Sequence, residues 1–229
     1  MKTAALILLA LAITPPAAAS TGKSLYGRNC LRCHGMNGVG TAVAPSLRGV
    51  GARAADFYLS TGYMPLQHIG LQPRRSRLVL NPSQIKALTG YVASLAPGPA
   101  IPKPGPGSVS QGFHLFTDHC AGCHQVVAEG GYVTGAVPPP LEDDRPTQIA
   151  EAVRIGPYVM PTFSPKAISN AQLDSIIAYV QYAKHPDDRG GWAIGHVGPV
   201  PEGLVSWLIA AAALVVVCML IGTRLGREN

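Results

Sequence analysis

Cys30-Leu31-Arg32-Cys33-His34 and Cys120-Ala121-Gly122-Cys123-His124 are the two stretches on which the reading of this 229-residue chain turns. In each, two thiols three positions apart stand about one helical turn from each other, and an imidazole follows at once. Both thiols can then add to the two vinyl groups of one porphyrin while the imidazole reaches the iron from the same face, which is the attachment signature of a c-type haem. A disulfide, a zinc knuckle or a thioredoxin-like pair would use the cysteines without requiring the histidine. The fifth cysteine, Cys218, lies in an apolar run near the C-terminus and reads as a small packing residue.

Working outward from the two motifs reveals an internal duplication. Tyr26 and Phe116 each place an aromatic ring four residues before the first cysteine. A Gly/Pro-rich loop follows each motif, with Ala44-Pro45-Ser46-Leu47 in one half and Pro138-Pro139-Pro140-Leu141 in the other. Thr61-Gly62-Tyr63-Met64-Pro65 then matches Gly156-Pro157-Tyr158-Val159-Met160-Pro161. Each half closes on a helix. In the first, Asn81 caps, Pro82 takes the first helical position and Gln84 completes a capping box ahead of Ile85, Leu88, Val92 and Leu95. In the second, Ser169 and Gln172 form the box ahead of Leu173, Ile176, Ile177 and Val180.

What the iron does depends on its second axial ligand, because a His/Met pair carries electrons at raised potential while an open position permits catalysis. Of the five methionines, Met1 begins the chain, Met219 lies in the C-terminal apolar run, and Met36 is two residues from a haem histidine, too close to reach the opposite face. Met64 and Met160 remain, 30 and 36 residues after His34 and His124, each ahead of a proline that favours extended backbone. The expected axial pairs are therefore His34 with Met64 and His124 with Met160. His68 is a competitor near Met64, and His114, His119, His185 and His196 read as solvated or capping residues.

Residues 96–107 form a Pro/Gly linker that cannot be helical and spaces the halves semi-rigidly. The expected organisation is a domain at 20–95, the linker at 96–107, a domain at 108–189 and a connector at 190–203. Lobes of this size bury a marginal core, so each is expected to fold around its haem. From Ser20 to Leu95 nine Lys and Arg face Asp56 alone, a balance of plus 8, whereas from Ser108 to Gly203 five face ten acids, a balance of minus 5. Oppositely charged lobes suit two different partners. Arg74-Arg75-Ser76-Arg77 has several readings: a protein dock, a propionate partner or a lipid-headgroup partner.

The ends bear on the compartment. Met1 to Thr3, the apolar run Ala4–Ile13 and Ala17-Ala18-Ala19 ahead of Ser20 read as a secretory signal over 1–19. Leu204 to Thr223 gives twenty residues without a charge, flanked by Trp207 near its start and by Arg224 and Arg227 beyond, and reads as a transmembrane helix. The positive-inside rule puts the tail, 224–229, in the cytoplasm and the lobes outside it. Charged residues at 13% against 47% hydrophobic exclude a disordered chain, and 26 Gly with 21 Pro exclude a coiled coil. The basic residues are not interleaved with aromatics, which argues against nucleic acid despite the positive net charge.

The order of signal, two Cys-x-x-Cys-His lobes with methionine-proline loops and a C-terminal anchor resembles the dihaem cytochrome c (cytochrome cc) subunit of the actinobacterial-type menaquinol–cytochrome c reductase, the cytochrome bc complex. Gly190-Gly191-Trp192 through Gly198-Pro199-Val200-Pro201-Glu202-Gly203, leading to Trp207, is similar to that family's approach to its anchor. The basic stretch at 74–77 and the acidic run Glu142-Asp143-Asp144 depart from it. The resemblance implies a mainly α fold of two tandem class I-type cytochrome c domains plus one C-terminal transmembrane helix. It also implies two covalent haem c groups and a relay of single electrons from the Rieske iron-sulfur protein, beside cytochrome b, to the copper subunit of a terminal oxidase. The first lobe would be the acceptor and the second the donor, with no acid/base or nucleophilic chemistry. Two alternatives stay open: a dihaem subunit of a periplasmic dehydrogenase, and a dihaem peroxidase-like enzyme.

Overall fold

The computed structural model describes residues 21–66, 68, 75–184 and 199–226. The expected signal at 1–19, together with Arg74, His185, His196, most of the Gly-rich approach to the anchor and Arg227, lies outside the described residues. Among the described residues the fold is helical throughout, with a single isolated bridge between Val133 and Ala136. The chain divides into two compact units. Among the described residues, one comprises 21–60, 65–66, 68 and 78–99, and the other 61–64, 75–77, 100–184 and 199–226.

In the first unit, α1 (Gly22–Asn29) starts where the Thr21 hydroxyl accepts from the Ser24 amide at 3.2 Å, and it ends at Cys30. α2 (Leu31–His34) and a single 3₁₀ turn (Met36–Gly38) follow, then α3 (Gly51–Ser60) and α4 (Pro82–Ser94). The capping box on α4 forms as read from the sequence, with Asn81 Oδ1 accepting from the Gln84 amide and Gln84 Oε1 accepting from the Asn81 amide, both at 3.0 Å. α1 and α3 pack against α4. Leu25, Tyr26, Phe57, Ile85, Leu88 and Val92 form the buried interior. The α1–α4 crossing is tight because position 22 is glycine: a Cβ there would stand 2.1 Å from the Ala87 carbonyl oxygen.

The second unit repeats this plan. α5 (Val109–His119) is capped by Ser108 and ends at Cys120, α6 (Ala121–His124) carries the second motif, and α7 (Pro146–Ile155) and α8 (Asn170–Ala183) follow. α5 and α7 pack against α8. At the α5–α8 crossing the close approach is again made by a glycine, Gly112, whose absent Cβ would lie 1.9 Å from the Ser175 carbonyl oxygen. The Ser169–Gln172 box caps α8 through bonds of 2.8 and 3.3 Å. Phe116, Ile168, Ile176 and Val180 are the largest fully buried apolar residues of this core.

α3 and α7 lie between the Gly/Pro-rich loops and the methionine loops, in stretches to which the sequence reading assigns no element. α7 is amphipathic, with Ile149, Ala150 and Val153 buried. It also starts on a signal of its own, Pro146 at the first position with Gln148 Oε1 accepting from the Arg145 amide at 3.0 Å.

The linker is stitched down at both ends. The Arg53 amide donates to the Pro99 carbonyl at 3.1 Å within the first unit. Within the second, the Gly105 amide donates to Asp174 Oδ1 at 3.0 Å and the Ser108 amide to Ser175 Oγ at 3.2 Å.

α9 (Pro199–Leu225) contains an apolar stretch, Gly203–Arg224, of 22 residues, none of it buried. At 1.5 Å per residue this spans about 33 Å, enough for a hydrocarbon core of about 30 Å. A helix buried in a soluble core would not leave Trp207, Leu214 and Met219 exposed.

Candidate haem-binding sites

Each Cys-x-x-Cys-His motif begins where a helix ends. Cys30 closes α1, with its amide donating to the Tyr26 carbonyl at 2.9 Å, and opens α2. The Cys33 and His34 amides then return to the Cys30 carbonyl at 3.1 and 2.9 Å. Cys120 makes the same turn after α5, and the Cys123 and His124 amides return to its carbonyl at 3.1 and 2.9 Å. The turn brings both thiols and the imidazole of each motif into one short segment, and none of the four cysteines is in a disulfide. Burial pushes the Cys30 thiol up to about 11 and the Cys120 thiol up to about 12, with repulsion from Cys33 and Cys123 adding to it.

Each imidazole is oriented by a proline carbonyl. His34 Nδ1 lies 2.8 Å from the Pro45 oxygen and His124 Nδ1 lies 3.1 Å from the Pro139 oxygen. A carbonyl only accepts, so Nδ1 is the donor in each contact, and in the neutral ring this leaves the lone pair on Nε2, the tautomer that an iron ligand requires. Burial lowers the His124 pKa, which favours the neutral ring, against the opposing pull of the Pro139 carbonyl and the Asp144 carboxylate.

Met64 and Met160 are both partly buried and sit on loops that leave a tight turn. Gly62 has a φ of +74°, where a Cβ would meet the Ser76 carbonyl oxygen at 2.0 Å, and Ser76 Oγ donates back to the Gly62 carbonyl at 2.5 Å. Gly156 ends α7 with φ +64°, and Met160 packs on the rim of the cluster that includes Cys120, Phe116 and Val153. Met36 is exposed on its 3₁₀ turn, and Cys218 is exposed on α9. His68, His114 and His119 are exposed.

The donor set suits an apolar macrocycle held through two thioethers: a thiol pair and an adjacent imidazole in each motif, and a methionine loop downstream of each in the chain. Val43, Val137 and Val159 stand exposed on the loops after the motifs and beside Met160, apolar surface of the kind that such a group would cover.

Two features were not read from the sequence. Gly22 and Gly112, each eight residues before the first cysteine, permit the helix crossings described above, and their identical offsets were the available signal. The Arg74–Arg77 stretch gains one definite contact: Arg75 pairs with Asp144 within the second unit. Asp144 is thus a buried residue rather than a member of an exposed acidic run, and its backbone carbonyl accepts from Gln181 Nε2 at 3.1 Å and Lys184 Nζ at 3.2 Å.

Residues 19–96 match the family model for cytochrome c, and residues 107–180 match that for subunit III of cbb3-type cytochrome c oxidase. The chain is 34% identical to a cytochrome bc1 complex cytochrome c subunit of Corynebacterium diphtheriae, covering 95% of this chain and 89% of the relative. It is 35% identical to the subunit of the same name in Mycobacterium bovis, covering 89% and 77%. A more limited match, 30% identity over 52% of this chain and 43% of the relative, is to the cbb3-type cytochrome c oxidase subunit FixP of Sinorhizobium medicae. With two cytochrome c domains, two covalently attached c-type haems and a C-terminal apolar helix fit to anchor it in a membrane, the chain belongs to the family of cytochrome bc1 complex cytochrome c subunits.

Proposed function

We propose that this chain is the membrane-anchored dihaem relay of a quinol–cytochrome c reductase, taking single electrons from the Rieske iron-sulfur protein and delivering them to the copper subunit of a terminal oxidase. In this reading Cys30 and Cys33 hold one haem, Cys120 and Cys123 the other, and the axial pairs are His34 with Met64 and His124 with Met160. The observation that carries it is the twofold recurrence of one local geometry: a cysteine pair on a single turn, outside any disulfide, with an adjacent imidazole held at Nδ1 by a proline carbonyl.

Each haem, when attached, supplies a one-electron iron couple, and a His/Met pair sets its potential high. The remaining work falls to the chain. The Pro45 and Pro139 carbonyls fix the imidazole tautomer, and Pro65 and Pro161 favour extended backbone at the methionines. α9 confines both lobes near their partners, which raises the effective concentration of each. With Arg224 at the end of the apolar stretch, the positive-inside rule puts the tail in the cytoplasm and both lobes on the other side of the cell membrane.

The test is purification from membranes in mild detergent, with reduced-minus-oxidised spectra and identification of co-purifying chains. Two low-spin His/Met haems accompanied by a Rieske protein, a cytochrome b and an oxidase copper subunit support the reading. A dehydrogenase in place of cytochrome b, or a high-spin haem, overturns it in favour of a dehydrogenase subunit or a peroxidase-like enzyme.

A further inference from the structure

The second unit buries a cation on the helix that leads into the Met160 loop. Arg154, at the second-last position of α7, is 9% exposed, and its guanidinium bonds include three to the chain beyond Met160. Nη1 donates to the carbonyls of Phe163 and Ile168 at 3.0 and 2.8 Å, and Nη2 donates to Asn170 Oδ1 at 2.8 Å. All three acceptors come from the segment that runs from Met160 to the start of α8. The charge shares α7 with the fully buried Glu151, and what links it to the chain after Met160 is its bonds to Phe163, Ile168 and Asn170.

The surrounding bonds show what that segment is fastened to. The Phe163 amide donates to the Val153 carbonyl and Thr162 Oγ1 to the Ile155 carbonyl, both at 2.9 Å. On the other side of Met160, the Gly156 amide donates to Ala152 at 2.8 Å and the Met160 amide to Pro157 at 3.1 Å. The methionine therefore sits on a short arch whose two feet stand on the last turn of α7, and Arg154 joins the Phe163 amide and the Thr162 hydroxyl in tying down the outgoing foot. The intervening residues resist this shape on their own, since Tyr158 adopts φ +68° without being glycine.

We propose that Arg154 is a positioning residue for Met160, holding segment 161–170 against α7 so that the thioether stays on the second haem's iron; this rests on the reading of Met160 as an axial ligand. The two-nitrogen guanidinium is the essential feature, because Nη1 serves the Phe163 and Ile168 carbonyls while Nη2 reaches Asn170 Oδ1, and a lysine ammonium keeps the charge on one nitrogen that cannot stand in both places.

The test uses the full chain, haem-loaded and purified from membranes, as wild type and as Met160→His, Arg154→Lys and Asn170→Ala. The readouts are the red-end charge-transfer band of thioether-ligated ferric haem, the two midpoint potentials and the melting transition. Met160→His should remove the second haem's share of the band. Arg154→Lys should lose roughly half or more of that same share and lower that haem's potential while the lobe still melts cooperatively. Asn170→Ala, which deletes one acceptor, should cause a smaller loss in the same direction. A full band and unchanged potential in Arg154→Lys and Asn170→Ala, with the loss seen in Met160→His, overturn the role of Arg154 alone. A full band in Met160→His overturns the ligand reading and the proposal with it. Should Arg154→Lys not fold, Asn170→Ala decides by the same criterion: a partial loss supports the proposal and no change overturns it.

Discussion

The rings of Tyr26 and Tyr91 pack with centroids 5.2 Å apart at an interplanar angle of 52°. Phe116 and Tyr179 repeat the pair in the second unit at 5.3 Å and 52°. Both pairs sit at the crossing of the helix before the Cys-x-x-Cys-His turn with the last helix of the lobe. The hydroxyl has changed sides: Tyr26 donates to the Gly35 carbonyl at 2.7 Å, whereas Tyr179, from the opposite helix, donates to the Val126 carbonyl at 2.6 Å. In each lobe one phenol thus ties the aromatic crossing to the residues just after the haem histidine, and the duplicated halves meet the same requirement from different positions.

These phenols give an alkaline signature. Burial raises the pKa of both Tyr26 and Tyr179. A phenol whose folded pKa lies above its unfolded value contributes stability that is whole below about pH 10 and is lost as pH rises through the folded pKa. Tyr26→Phe and Tyr179→Phe should each cost about 0.5–1.5 kcal/mol at neutral pH. The gap from wild type should narrow above pH 10, as measured by denaturant melts across pH.

The glycines at the two crossings separate from a glycine that merely sits in a helix. Gly112→Ala would place a Cβ 1.9 Å from the Ser175 oxygen and 2.8 Å from Tyr179 Cβ, and Gly22→Ala would meet Ala87 O at 2.1 Å. Each should destabilise its lobe by about 1–3 kcal/mol, with melting lowered by about 4–8 °C for each kcal/mol. Gly27, on the same helix as Gly22, has nothing within 4 Å of a built Cβ. Gly27→Ala should therefore stabilise, by about 0.5–1 kcal/mol, so the two substitutions on α1 have opposite signs in a thermal melt.

Arg75 compensates a carboxylate that is largely out of water, the Asp144 side chain being 10% exposed and that of Arg75 30%. Arg75→Gln should cost about 1–3 kcal/mol, below the range for a fully buried pair because Arg75 retains solvent. Asp144→Asn added to it should recover part of the loss by removing the uncompensated charge. A double-mutant cycle on chemical unfolding measures the coupling, and additivity would show that the contact contributes nothing.

Ending the chain before α9 should release both haem lobes from the membrane fraction in a single wash, with their spectra unchanged. Retention on the membrane after that truncation would mean that α9 is not the anchor.

The sequence alone determined the features that depend on neighbours along the chain. Paired thiols with an adjacent histidine, capping boxes at Asn81 and Ser169, methionines ahead of prolines and an uncharged run of twenty residues are each readable because their chemistry is local. Only the tertiary structure decided which groups far apart in the chain would meet. α7 was hidden because its helix is short and lies among loop signals, and what holds it is the burial of Ile149 and Val153 against α8. The partnership of Arg75 with Asp144, the reach of Arg154 across the Met160 loop and the need for glycine at 22 and 112 all depend on distances set by helix packing. A lone arginine or glycine in a sequence carries no trace of what will stand beside it, because that neighbour is chosen by the close packing of the whole lobe.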